Sequence, residues 1–167
     1  MGHGGAVMRT MLWLAAMAMP GAAQAQDCDP VPADLSAWTA GASAAATADA
    51  ASAPVIAIGR AAEVTLHPAA HLTPATPPGR AAKPGSHAGL IAFDVATAGT
   101  YRVALSNAAW IDVVAGGAAL ESATHGHGPR CSGMRKLVAF ALRPGRHLLQ
   151  VSGSPDASVR VLVVPPA

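Results

Sequence analysis

Beyond Pro54 the sequence is a succession of short runs of β-forming residues separated by glycine- and proline-containing turns. Residues 100–105 form the clearest run, because Tyr101, Val103 and Leu105 occupy alternate positions and so share one face of a strand. Many short strands with turn residues between them are typical of an all-β sandwich or barrel. The sequence therefore predicts an all-β domain over residues 55–167, an antiparallel jelly-roll-like β-sandwich.

Two segments of this domain repeat one pattern. Residues 90–105 align with residues 137–151, with one gap in the turn, and we expect each segment to fold as a β-hairpin. Duplicated hairpins that pack face to face bury both inner faces of a jelly-roll-type sandwich, so the repeat favours that fold. The other predicted elements are strands at 55–58, 62–67 and 158–164, a hairpin of 110–114 with 118–121, and a proline-rich loop from 68 to 89.

Residues 1–25 have the layout of a cleavable signal peptide. Arg9 precedes an apolar run over 11–19, Pro20 ends that run, and the small residues at 23 and 25 predict cleavage after Ala25. The run has about half of the ~20 apolar residues that a bilayer span requires. We therefore expect no transmembrane anchor after cleavage, and a periplasmic or secreted location.

An Ala/Ser/Pro-rich N-terminal extension over residues 26–54 separates the signal peptide from the sandwich. Leu35 and Trp38 are its largest apolar side chains, and a helical turn over 34–38 would dock Trp38 on the domain. Residues 41–53 are low in complexity and are interpreted as a linker.

The sequence holds two cysteines, Cys28 and Cys131. Disulfides persist in oxidising compartments, so export predicts that the two are paired. A bridge that closes a loop of about 100 residues contributes on the order of 4.7 kcal/mol in the loop-entropy model. Two free thiols are the alternative.

The positive charges are few and dispersed along the sequence. The net charge is +2, and the lysines and arginines stand apart from one another except for Arg135 and Lys136. Nucleic-acid binding needs cations gathered on one face, so we expect no nucleic-acid partner. A protein, a glycan and a small molecule all stay open as partners.

His125-Gly126-His127 is the sharpest candidate for chemistry, within a polar glycine-rich loop over 122–133. Two histidines one residue apart can present their imidazoles to one metal ion, with Fe, Zn or Cu as candidates, and Glu121 and His147 are further candidate ligands. The alternatives are a solvated loop tip for the histidine pair and an inward strand side chain for His147. Cys131 lies close by, but a disulfide-bonded cysteine cannot also ligate a metal.

The segments 93–95 (Phe-Asp-Val), 98–103 (Ala-Gly-Thr-Tyr-Arg-Val) and 144–151 form a strand-pair motif. On that motif, residues 87–164 resemble the bacterial pre-peptidase C-terminal domain, a β-sandwich appended to secreted enzymes. The resemblance implies a stabilising or surface-binding accessory role, and it brings no catalytic residues.

The block 124–136 reads Thr-His-Gly-His-Gly-Pro-Arg-Cys-Ser-Gly-Met-Arg-Lys. On this block the whole chain resembles short exported proteins that are identified as homogentisate 1,2-dioxygenases. That resemblance implies a cupin-like non-haem iron enzyme, in which His125, His127 and either Glu121 or His147 would hold the iron. Glu121 precedes the histidine pair here, whereas the cupin glutamate follows it.

Three hypotheses for the function result. The first is an exported accessory or binding module without catalytic activity, with a metal ion at His125 and His127 as one form of it. The second is a cupin-like, iron-dependent ring-cleaving dioxygenase of the homogentisate type, and the third is a structural envelope protein. Three protein ligands within ~2.0–2.3 Å of one point would favour the dioxygenase.

Overall fold

The computed structural model describes residues 1–3 and 27–166. Most of the predicted signal peptide, including the cleavage site after Ala25, lies outside the described residues. Three short 3₁₀ helices cover Ala33–Thr39, Ala50–Ser52 and Ala69–His71. The strands are β1 Gly41–Ala45, β2 Ala61–Thr65, β3 His67–Pro68, β4 His87–Val95, β5 Gly99–Leu105, β6 Trp110–Ala115, β7 Ala118–Ala119, β8 Ser122–Gly126, β9 Lys136–Leu142, β10 Gly145–Ser154 and β11 Ser158–Val164.

The strands form two sheets. The six-stranded sheet has the order β1-β2-β11-β5-β9-β8, and the five-stranded sheet has the order β3-β4-β10-β6-β7. Among the described strand pairs β1–β2 is parallel and the others are antiparallel. The predicted all-β sandwich is confirmed, and its jelly-roll character stays a prediction.

The two copies of the sequence repeat do not fold as hairpins. In the first copy β4 lies in the five-stranded sheet and β5 in the six-stranded sheet, and in the second copy the order is reversed, with β9 in the six-stranded sheet and β10 in the five-stranded sheet. Each strand pairs instead with a strand of the other copy, so that Phe93 stands opposite His147 and Tyr101 opposite Phe140. The two hairpin predictions are wrong, because both arrangements bury the same alternating side chains and the alternation cannot distinguish them. The third predicted hairpin, β6 with β7, is confirmed.

The inner faces of the two sheets share one hydrophobic core. The expected inward set of Tyr101, Val103 and Leu105 is confirmed, since these residues are 4%, 0% and 0% exposed. The phenol of Tyr101 donates a hydrogen bond to the Thr97 carbonyl at 2.8 Å, which satisfies its polar end. The same core includes Ile91, Phe93, Ile111, Val113, Val138, Phe140, Leu149, Val151, Val161 and Val163.

Three segments differ from their sequence interpretation. Residues 41–45, interpreted as linker, form β1 and pair with β2. Residues 122–126, interpreted as loop, form β8, whose residues are all exposed. Both are the outermost strands of the six-stranded sheet and are held by main-chain hydrogen bonds. Their small or polar side chains give no hydrophobic pattern from which a strand could be predicted. The strand expected at 55–58 is reduced to an isolated bridge between Val55 and Ala92.

The outer face of the six-stranded sheet is covered by the first 3₁₀ helix. Leu35 and Trp38 are 2% and 4% exposed and pack with Met134, Ala104 and Leu162 in a second, smaller cluster. The Trp38 indole Nε1 donates to the Ser132 carbonyl at 2.9 Å. The predicted docking of Trp38 on the domain is confirmed.

The predicted disulfide joins Cys28 to Cys131, with 5.4 Å between the two Cα atoms, and so the prediction is confirmed. Beside it, Asp29 accepts hydrogen bonds from the main chain and the guanidinium of Arg130 at 3.0–3.1 Å. This pairing lowers the pKa of the Asp29 carboxyl. The disulfide and the ion pair therefore hold residues 28–29 against residues 130–131, shortly before the 3₁₀ helix Ala33–Thr39 begins.

The outer face of the five-stranded sheet is covered by the segment from residue 72 to residue 86. Gln150 is fully buried; its Oε1 accepts from the Ala75 amide at 2.8 Å, and its Nε2 donates to the Thr76 carbonyl at 3.0 Å. Asp112 Oδ2 accepts from the Gly79 amide at 3.3 Å. This segment is therefore held to the sheet by two buried polar side chains.

Within residues 1–3 and 27–166, no helix is both long enough and apolar enough to cross a bilayer.

Candidate functional site

The four predicted metal ligands lie at three places. Glu121 and His125 line one cavity at the edge of the sandwich. His127 follows β8, and its Nδ1 lies 2.8 Å from the Arg135 carbonyl oxygen. His147 is 4% exposed and stacks on Phe93, with 5.6 Å between the ring centroids. The interpretation of His147 as an inward strand side chain is confirmed.

The structure therefore brings Glu121 and His125 together but not His127 or His147. Within residues 1–3 and 27–166, no group of three or more His, Cys, Asp or Glu side chains is arranged to hold a metal ion. Cys131 is engaged in the disulfide. A metal ion bound by His125 and His127 stays a prediction.

The cavity that contains Glu121 and His125 opens at one side of the sandwich, where the chain passes from β7 in one sheet to β8 in the other. We call it the edge cavity; its volume is about 520 Å³. Its floor consists of side chains from the hydrophobic core, and its rim is polar. The lining residues are Trp110, Ile111, Asp112, Leu120, Glu121, Ser122, His125, Lys136, Val138 and Phe140.

Trp110 forms one wall of the edge cavity and is held in place from several directions. Its indole Nε1 donates to Asp112 Oδ1 at 2.9 Å. The Lys136 ammonium lies 5.5 Å from the centroid of the indole, a cation–π contact, and also donates to the Ala109 carbonyl. Gly79 packs so closely that a Cβ there would lie 2.9 Å from the indole nitrogen. The half-buried ring is therefore fixed before any ligand arrives.

Two positively charged side chains, Lys136 and Arg80, lie near Trp110. Burial lowers the pKa of Lys136, and the positive charge of Arg80 lowers it further. Arg80 and Lys136 are far apart in the sequence, so the fold gathers cations that the sequence disperses.

A second cavity also includes Trp110 in its lining and lies over the outer face of the five-stranded sheet. We call it the face cavity; its volume is about 440 Å³. The covering segment 72–86 supplies part of the lining, and β10 supplies Ser152. The lining residues are Arg80, Ala81, Lys83, Pro84, Gly85, Ser86, Ala108, Trp110, Ser152, Gly153 and Pro155.

The sequence pattern indicated Glu121 and His125 but not the other residues that line the two cavities. Trp110 and Asp112 stand two residues apart in a predicted strand, so the sequence could have indicated that their side chains lie together on one face. Arg80 and Lys83 gave no such indication, because they belong to a proline-rich loop whose path depends on Gln150 and on Asp112.

The fold and the two cavities define a two-sheet β-sandwich with an open edge. No family model matches the chain, and no curated protein matches it. The resemblances to the pre-peptidase C-terminal domain and to the homogentisate 1,2-dioxygenase group stay predictions.

Proposed function

We propose that this chain is an exported binding module that holds a small organic ligand in the edge cavity. The observation that carries the proposal is a pre-positioned aromatic wall, Trp110, beside an apolar floor and a polar rim. Ligand sites in proteins combine mostly apolar walls with a few fixed polar groups in this way, and their volumes run from about 300 to 1,000 Å³.

The lining indicates the chemistry of the ligand. Ile111, Val138 and Phe140 offer an apolar surface with no hydrogen-bonding side chain. The negatively charged Glu121 offers hydrogen-bond acceptors, and the positively charged Lys136 offers hydrogen-bond donors. A compound with one apolar face and several hydroxyl groups, as in a saccharide, satisfies both parts.

Export is part of the proposal and rests on the Cys28–Cys131 bridge. Disulfides form and persist in the periplasm and outside the cell, and they are rare in the cytosol. A periplasmic or secreted binding module is the form of the proposal that fits this bridge.

The test is a titration of the oxidised protein with neutral disaccharides and, separately, with aromatic acids including homogentisate. Binding is followed by tryptophan emission and by thermal unfolding. We expect a disaccharide to shift the emission of Trp110 and to raise the melting temperature. Glu121→Gln should weaken binding about tenfold, because it removes a charged hydrogen-bond acceptor.

The matched control is Glu63→Gln, which changes the other glutamate of the chain, on β2 away from the cavity. This variant should bind as the wild type does. Equal affinity for the wild type, Glu121→Gln and Trp110→Phe would contradict the proposal. Oxygen uptake with homogentisate would support the dioxygenase hypothesis instead.

A further inference from the structure

We propose that the face cavity binds an oxyanion, sulfate or phosphate, through Arg80, Lys83 and Ser152. This site is separate from the edge cavity, shares only the Trp110 wall with it, and does not depend on the function proposed there.

The first observation is a buried hydroxyl without a partner. Ser152 is 1% exposed and lines the face cavity, and its Oγ has no hydrogen-bond partner among the described residues. Neighbouring buried polar side chains are satisfied: Gln150 binds the covering segment, and Ser154 Oγ donates to the Asp156 carbonyl at 2.7 Å. A buried hydroxyl left unpaired costs free energy, so an acceptor in the cavity would recover that loss.

The second observation is the charge of the lining. Arg80 and Lys83 line the cavity, and neither makes an ion pair within the described part of the chain. Four other arginines do pair with carboxylates, and the lining of the face cavity contains no carboxylate. A guanidinium binds oxyanions through two parallel N–H donors, and an ammonium adds a point charge.

The third observation is that the cations stand on a fixed loop. The Lys83 carbonyl accepts from both the amide and the hydroxyl of Ser86, at 3.1 Å and 2.6 Å. The same segment is anchored upstream by Gln150 and Asp112. The main chain that carries the two exposed cations is thus held before binding, which lowers the entropy cost of ordering the loop.

The experiment is a titration of ¹⁵N-labelled, oxidised protein with sodium sulfate and with sodium phosphate, and with sodium chloride at matched ionic strength. We expect saturable NMR shifts at the Ser152 amide and the Trp110 indole with sulfate or phosphate but not with chloride. Ser152→Ala and Arg80→Gln should each weaken the affinity at least fivefold. Arg143→Gln, an exposed arginine outside the cavity lining, is the control and should bind as the wild type does.

Thermal unfolding is a second test, because the proposal predicts the direction in which the melting temperature changes. Without sulfate, Ser152→Ala should melt at the same temperature as the wild type or higher, because it removes an unpaired buried hydroxyl. Sulfate stabilises proteins generally by exclusion from their surface, so the informative quantity is the difference between wild type and variant. The wild type should gain more from sulfate than either cavity variant.

Equal gains and equal NMR shifts in the wild type, Ser152→Ala and Arg80→Gln would overturn the proposal, as would the same shifts with chloride. A parallel titration with glucose 6-phosphate distinguishes an ester-linked phosphate from the free ion. Tighter binding of the ester at the same residues would assign the site to a phosphorylated saccharide, and tighter binding of inorganic phosphate would assign it to the free ion.

Discussion

Trp110 is the residue on which both candidate sites depend. It lines both the edge cavity, with its apolar floor and polar rim, and the cationic face cavity. Asp112, Lys136 and Gly79 fix the indole between them. A change at this position is therefore expected to affect binding in both cavities, whereas Glu121 and Ser152 each report on one.

Lys136 gives a prediction for pH dependence. Its pKa is lowered from 10.5 in the fold by burial and then by Arg80, so between the two pKa values the unfolded chain binds more protons than the folded one. Stability therefore rises with pH through that window, and the penalty is complete below the folded pKa. Relative to Lys136→Met, the wild type should gain free energy of unfolding as the pH rises toward 10.5, measured by urea titration at a series of pH values. A constant or shrinking difference would contradict the shift.

Individual buried residues were the part of the molecule that the sequence predicted best. Alternation fixed the inward position of Tyr101, Val103 and Leu105, because the two faces of a strand differ so strongly in hydration. Arg80 and Lys83 carry no such periodic signal. Their position depends on long-range hydrogen bonds from Gln150 and Asp112, which sequence spacing does not reveal.

Each sheet has a cover on its outer face, and the two covers are held differently. The 3₁₀ helix Ala33–Thr39 is held over the six-stranded sheet by Leu35, Trp38 and the disulfide that precedes it. The segment 72–86 is held over the other sheet by hydrogen bonds to Gln150 and Asp112. The first cover is thus sensitive to reduction, and the second is not.

The disulfide gives a prediction at this scale. Replacing both Cys28 and Cys131 by Ser should lower the free energy of unfolding by about 2–5 kcal/mol, because the bridge closes a long loop in the unfolded chain. The measurement is urea unfolding followed by tryptophan emission, with the wild type in oxidised and reduced form. Reductant should leave the double variant unchanged. An oxidised wild type no more stable than the reduced one would contradict the expectation.

The two edge strands of the six-stranded sheet, β1 and β8, were not predicted from the sequence. β1 consists of Gly, Ala and Ser, and every residue of β8 is exposed, so neither has a hydrophobic face to give a period of two. Their neighbours β2 and β9 supply the hydrogen bonds that make them strands. Pairing of this kind is a tertiary effect, and it also places His125 on a strand at the rim of the edge cavity.

At the scale of the whole molecule, the repeat is interleaved. Each copy contributes one strand to each sheet, and the copies pair with one another through β4–β10 and β5–β9. The sequence revealed the repeat but not this exchange, since a hairpin and a crossing between sheets bury the same residues. The exchange sets β6 and β9 in opposite sheets, and the edge cavity takes its floor from both.

The open edge of the sandwich therefore depends on β4 and β5 lying in different sheets, and main-chain NOEs in the oxidised protein test this directly. The interleaved fold predicts cross-strand NOEs between the pairs Ile91–Leu149 and Val103–Val138. It predicts none of the regular NOE ladder that would join residues 91–95 to residues 99–103. A hairpin ladder between those two segments, with no β4–β10 contacts, would contradict the fold and remove the cavity with it.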